Sequence, residues 1–172
     1  MRFVWPLLFC LSACAYHFQG TKNPLKELGI EKIYVENFKN ETFRPGIEQM
    51  FTTAMIRELE KSKAFHLVTN RKNADAILVG DVVTAENTVG PTTSIATGGR
   101  NVDVASQYNA SISCNVALLD RATGKAIFSQ SIADTKIYPG DIQRGDAGAT
   151  IPLVNESEQR LAIQYLATRM MA

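Results

Sequence analysis

Cysteine and histidine are scarce in this sequence, and neither has a spacing that carries chemistry. Among 172 residues there are three cysteines, Cys10, Cys14 and Cys114, and two histidines, His17 and His66. Three cysteines cannot all pair with one another, so a disulfide framework is not what holds the fold, and without C-x-x-C or H-E-x-x-H there is no metal-ligand spacing. Neither a phosphate-cradling G-x-x-x-x-G-K-S/T frame nor a G-x-S-x-G nucleophile elbow occurs. Excess charge is missing too: Lys+Arg 18 against Asp+Glu 17 leaves +1, which excludes a chain held on nucleic acid by its overall field. Beyond the first residues nothing is apolar enough to supply the roughly 20 residues of a membrane-spanning helix. What is present, 45% apolar and 20% charged residues, suits one globular domain with its own core.

The one apolar run opens the chain. Arg2 precedes about eleven apolar residues that end in Leu11-Ser12-Ala13-Cys14, a basic start, apolar middle and small-residue end typical of a secretory signal peptide. Leu11 to Cys14 also resembles a bacterial lipobox, in which the chain is cut before the cysteine and the thiol is acylated. The other readings are an ordinary signal peptide cut nearby and a buried N-terminal strand. Cleavage before Cys14 would remove Arg2 and leave 17 basic against 17 acidic side chains. One acyl chain binds a membrane only marginally, whereas several bind durably. Ala15 after the cysteine, by resemblance to other bacterial lipoproteins, directs the chain to the outer membrane. The organisation expected is a signal peptide over 1–13, a lipid-anchored tether over 14–30 and a single domain over 31–172.

Within that domain a first strand is expected near 31–38. Pro45 suits the first position of a helix, where Ile47, Met50, Phe51, Ala54, Met55 and Leu59 form an apolar stripe at helical spacing. A short strand is expected at 65–69, and longer strands near 76–87, 102–119 and 125–138. Over 108–118, Tyr108, Ala110, Ile112, Cys114, Val116 and Leu118 alternate with Asn109, Ser111, Ser113 and Asn115, which predicts a long strand with one face in the core. Ala126, Phe128 and Ile132 mark its antiparallel partner, with a hairpin turn over 120–124. Asn155 and Glu158 form a variant capping box before a helix carrying Leu161, Ala162, Tyr165, Leu166 and Met170. The fold class expected is α+β, a two-layer sandwich of two helices on one mixed four- or five-stranded sheet with long antiparallel strands.

Few residues are candidates for chemistry. Cys114 lies on the apolar face and reads as a small buried hydrophobe. His66 reads as a polar residue on the outer face of a short strand, and His17 as an interfacial residue beside the anchor, with a lipid-headgroup contact as the alternative. Asp75 and Asp81 would stand about 20 Å apart on an extended strand, too far for paired acid and base work. No metal, cofactor or catalytic set follows from these residues. If the long strands run antiparallel, the connections 88–101 and 139–155 emerge at one end and the 120–124 turn at the other. Arg100 and Arg144 then share one tip, in glycine-rich loops where a guanidinium can reach a phosphate, while Arg121 and Lys125 share the other. The alternative is that these loop arginines are simply solvated.

Several short segments are familiar together. They are Cys14-Ala15-Tyr16-His17-Phe18, Ile33-Tyr34-Val35 with Phe38-Lys39-Asn40-Glu41-Thr42, Arg44-Pro45-Gly46-Ile47-Glu48, Ala74-Asp75-Ala76 before Leu78-Val79-Gly80, and Leu119-Asp120 with Thr123-Gly124-Lys125. In these the chain resembles the lipopolysaccharide-assembly lipoprotein family LptE. The resemblance implies a non-enzymatic lipoprotein on the periplasmic side of the outer membrane, acting as a plug inside the LptD β-barrel, without cofactor, metal or nucleic acid. It also implies lipopolysaccharide binding through basic residues that match Arg100 and Arg144, and acylation at Cys14. Activators of peptidoglycan synthases and curli-secretion-like lipoproteins share the AD-x-x-x-x-G and D-x-x-T-G patterns, so regulation of a wall synthase, or service to a curli-secretion-like complex, is the second reading.

Overall fold

A computed structural model describes residues 25, 28–97, 99–144, 150–153 and 155–172, with backbone alone at 95, 97, 100, 102, 104, 141–144 and 150–153. Cys14 and His17 lie outside the described residues. The order of elements is β1 (Lys32–Val35), β2 (Lys39–Asn40), α1 (Ile47–Ser62), β3 (His66–Leu67), β4 (Ala76–Val89), β5 (Thr92–Thr97), β6 (Arg100–Ala105), β7 (Gln107–Asp120), β8 (Ala126–Pro139), β9 (Asp141–Arg144), β10 (Thr150–Leu153) and α2 (Glu156–Met171). The main sheet has the order β3-β1-β4-β7-β8, with β2 extending the pairing along β4. β1 is parallel to both β3 and β4, whereas β7 is antiparallel to both of its neighbours, β4 and β8. This is the mixed sheet and α+β sandwich expected.

The alternation over 108–118 is realised in full. Tyr108, Ala110, Ile112, Cys114, Val116 and Leu118 are all buried and face both helices. α1 contributes Ile47, Phe51, Ala54 and Met55 to the same core. Burying a side chain such as Phe51, which has 0% exposure, stabilises the fold by about 1.5–3 kcal/mol. Phe38 lies over Gly80, where an added Cβ would stand 2.2 Å from the ring, so glycine is the residue that admits an aromatic here. The buried hydroxyl of Thr52 is satisfied at both ends: it accepts from Phe38 N–H at 2.9 Å and donates to the Glu48 carbonyl at 2.7 Å.

Five expectations change. The first strand breaks at Val35 and resumes as β2. Pro45 precedes the helix instead of opening it, because Gly46 takes the cap position with φ 85°, a conformation that favours glycine. In α2 the buried face is Gln159, Ala162, Ile163, Leu166, Ala167, Met170 and Met171, while Leu161 and Tyr165 are 57% and 47% exposed. Tyr165 instead receives Lys136 Nζ over its ring at 4.6 Å, a cation–π contact. The connections 88–101 and 139–155, read as loops, hold β5, the start of β6 and the β9–β10 hairpin, and the strand expected near 102–119 divides at Ser106 into β6 and β7. Ile30, in the segment read as tether, is 4% exposed and belongs to the core.

A bulge at Val83 moves the β4–β7 register from Val82↔Cys114 to Thr84↔Ser113. Core-facing positions on β4 therefore switch from even numbers (Leu78, Val82) to odd ones (Ala85), because one extra residue reverses the pleat. No helix of the described residues is long and apolar enough to cross a membrane.

Candidate functional site

The long strands have two dissimilar ends. At one, β7 and β8 close through a tight turn in which Asp120 Oδ1 accepts from Thr123 N–H at 2.6 Å and from its hydroxyl at 2.7 Å. These bonds, the hydroxyl's first, hold the Asp120 carboxyl below its ordinary value. Gly124 takes φ 68°, a left-handed conformation that glycine adopts without strain. Arg121 N–H donates to the Asp75 carbonyl, and Asp75 Oδ2 accepts from the backbone N–H groups of Lys32 at 2.8 Å and Glu31 at 3.1 Å. Those two bonds, Lys32 first, lower the Asp75 pKa. Asp75 thus ties β1 to the start of β4, and Asp81 sits opposite Asn115 in the ladder.

At the other end the strands continue as hairpins. Gly90 N–H donates to Gln107 O at 2.9 Å, Ser106 N–H to Pro91 O at 3.2 Å, and Gly140 N–H to Ser106 O at 3.0 Å, which carries the ladders across the joint into β5–β6 and β9. A Cβ at Gly90 would stand 2.8 Å from Gln107 O, and one at Gly140 would stand 3.0 Å from both Ala105 O and the Tyr108 ring, so backbones meet closely here. Beneath the joint Tyr108 stacks on Tyr138 with centroids 5.7 Å apart. Gln159 Nε2 donates to Tyr138 Oη at 3.2 Å, fastening α2 to β8. Burial raises the Tyr138 pKa, partly offset by the nearby Arg44 cation.

Arg100 and Arg144 occupy the outer ends of these two hairpins: Thr97 pairs with Arg100, and Thr150 with Arg144. β10 lies beside β6, so the hairpins are neighbours. Arg121 and Lys125 are at the opposite end, separated from the hairpins by the fourteen residues of β7, about 46 Å of strand. The turn between β5 and β6 needs its glycine, since Gly99 has φ 78°. Sequence reasoning missed the joint itself. Its signal was present, because β4 and β8 each run into a glycine next to a proline, Gly90-Pro91 and Pro139-Gly140.

Among the described residues no helix covers the sheet face opposite the core, which carries mainly small neutral side chains, with Asp81 and Glu86 of β4 beside them. Cross-strand bonds link Thr84 to Ser113 at 2.7 Å, Ser111 to Thr135 at 3.0 Å and Ser131 to Asn115 at 2.6 Å. Cys114 points the other way, is 1% exposed and has its thiol pushed up to about 11 by burial, so it is not a nucleophile. His66 is exposed. Among the described residues no group of acidic, histidine or cysteine side chains could hold a metal ion.

The chain is thus of the class of small α+β sandwiches, here with paired hairpins at one end of the long strands. The same fold occurs in the PelC dodecamer of Paraburkholderia phytofirmans, at 15% identity and TM-score 0.52 over 83% of this chain and 84% of that one. It occurs also in a Helicobacter pylori homologue of the neuraminyllactose-binding hemagglutinin, at 10% identity and TM-score 0.52 over 83% and 82%. No curated protein matches the sequence. The family model LptE, lipopolysaccharide-assembly, matches residues 30–172, and the chain belongs to that family. It is accordingly a non-enzymatic lipoprotein of lipopolysaccharide assembly at the outer membrane, lipid-anchored on the periplasmic side.

Proposed function

We propose that this chain is the plug and assembly subunit of an LptD-type β-barrel, that acylated Cys14 anchors it, and that Arg100 and Arg144 engage lipopolysaccharide phosphates. The observation that carries the proposal is the register of the two hairpins, which sets both arginines at the outer ends of adjacent ladders at one end of the molecule. Guanidinium groups bind phosphate bidentately, and two on neighbouring ladders suit a multiply phosphorylated headgroup. The uncovered Ser/Thr/Asn face supports the plug reading, since the interior of a large outer-membrane barrel is polar. The anchor would hold this face in the barrel's membrane.

The test is a gentle-detergent pull-down of the lipid-anchored chain with mass spectrometry of protein, lipid and N-terminal peptide. The expected result is a barrel of the LptD class, lipopolysaccharide, and an acylated Cys14. Arg100→Asp with Arg144→Asp should lose lipopolysaccharide and keep the barrel. A chain recovered alone, unacylated and without glycolipid would overturn the proposal.

A further inference from the structure

Between α1 and α2 runs a groove of about 780 Å³ whose charged lining is Arg44, Arg57, Arg160 and Glu156. Elsewhere Arg71 pairs with Glu36 at 3.5 Å and Arg169 with Asp134 at 3.0 Å, while Arg121, at the far turn, makes no such pair among the described residues. Among the described residues Arg44, Arg57 and Arg160 have no such carboxylate partner, and all three line this one groove.

The two helices run in the same direction. Gln159, Tyr165 and Arg169 of α2 meet Tyr138, Lys136 and Asp134 of β8 in turn, so α2 is antiparallel to β8. Arg44, just before α1, lies against Asn87, as does Gln159. Both N-termini therefore open at the same end of the groove, where Glu48, Glu156 and Glu158 of the first turns offset the helix dipoles, so the positive charge of the groove is that of its three arginines. We propose that the groove seats an extended acidic polypeptide segment contributed by the enclosing barrel, an inference that rests on the plug reading above for its partner.

Charge complementarity selects an anion, and spacing selects its shape. From Ile47 to Arg57 is about 15 Å along a helix rising about 1.5 Å per residue, and Arg44 lies further out again. No single phosphate spans that distance. A strand advancing about 3.3 Å per residue covers it with four or five residues and presents carboxylates at alternate positions. The rest of the lining fits a peptide as well. Gln49, Thr53, Gln164 and Thr168 offer groups to a backbone, and Ile47 and Ile163 offer apolar contact to side chains facing the floor. Steering by such a field accelerates docking and fixes register.

The experiment installs a photo-crosslinking amino acid at Thr53, or at Gln164, in the full lipid-anchored chain in cells. The expected result is a crosslink to the barrel polypeptide, mapped by mass spectrometry to a segment rich in Asp and Glu. Arg57→Glu with Arg160→Glu should reduce it about tenfold, the scale of losing paired interfacial charges. Both arginines are exposed, and an unchanged urea midpoint will show that the variant folds. A crosslink to lipopolysaccharide, one to a segment without acidic residues, or one undiminished by charge reversal would overturn the inference. So would an absent crosslink while the barrel still copurifies, and that result would leave the plug reading intact; loss of the barrel from the wild-type pull-down would remove both.

Discussion

Ser113 and Cys114 are neighbours in β7, yet they live in different solvents. Cys114 looks into a core closed by two helices, and Ser113 looks onto a sheet face that no helix covers, where its hydroxyl is bonded to Thr84. Strand geometry demands this division, because successive side chains take opposite sides. What it teaches is that the two sides obey different selection: one is shaped by volume, the other by small, neutral hydrogen-bonding groups that suit a wet, close contact. A merely solvated face would carry the mixed long charged side chains of an ordinary surface.

The contrast can be tested hardest on the helix side. Phe51→Ala should lower unfolding stability in urea by about 3–5 kcal/mol, the usual range for an aromatic deleted from a core. Gly80→Ala should cost about 1–3 kcal/mol, since the new methyl meets the Phe38 ring, which is pinned between Gly80 and the Phe51 ring 6.2 Å away. If either is neutral, the helix side is not packed as described.

An intermediate effect belongs to the closed end of the sheet. The Asp75 carboxylate is stabilised in the folded chain, so its contribution is present above the unfolded pKa of 3.8 and fades as pH falls through that value toward the lower folded one. The urea midpoint of the wild type should therefore decline between about pH 5 and pH 3 more steeply than that of Asp75→Asn. Parallel curves would mean that the Lys32 and Glu31 bonds contribute nothing.

On the uncovered side, Ser113→Arg should leave stability within about 0.5 kcal/mol, as for most surface changes, while sharply reducing the barrel recovered in the pull-down. The smallest effect is chemical. Maleimide should leave the native peptide containing Cys114 unlabelled and modify Ser113→Cys readily, with both reacting once urea unfolds the chain; rapid native labelling at Cys114 would erase the distinction.

Most of the main sheet was legible because its residues announce a buried side. Eleven alternating positions in β7, the Asp120 to Gly124 turn and the stripe of α1 each had a pattern with one physical reading. The β5–β6 and β9–β10 hairpins were passed over although Asn101-Val102-Asp103-Val104 and Thr150-Ile151-Pro152-Leu153 alternate, because four positions of alternation beside clusters of Gly, Thr and Ser read as loop. The α2 stripe was legible at Ala162, Leu166 and Met170, which are buried, and misled at Leu161 and Tyr165, whose bulk drew the stripe away from Ile163 and Ala167. Arg57 and Arg160 were invisible as a pair, since only the side-by-side docking of two distant helices brings them to one groove. For Arg100 and Arg144, strand parity gave the shared end of the sheet, and the extended ladders that carry them came from the structure.

The glycine joint at the base of those ladders has a mechanical consequence. From Gly90 to Thr97 the arm is about 23 Å long at 3.3 Å per residue, so a pivot of about 10° at its foot sweeps the far end through about 4 Å. Whatever presses on Tyr108, Tyr138 or Gln159 is thereby magnified at a distance, as a short movement at a fulcrum becomes a long one at the end of a lever.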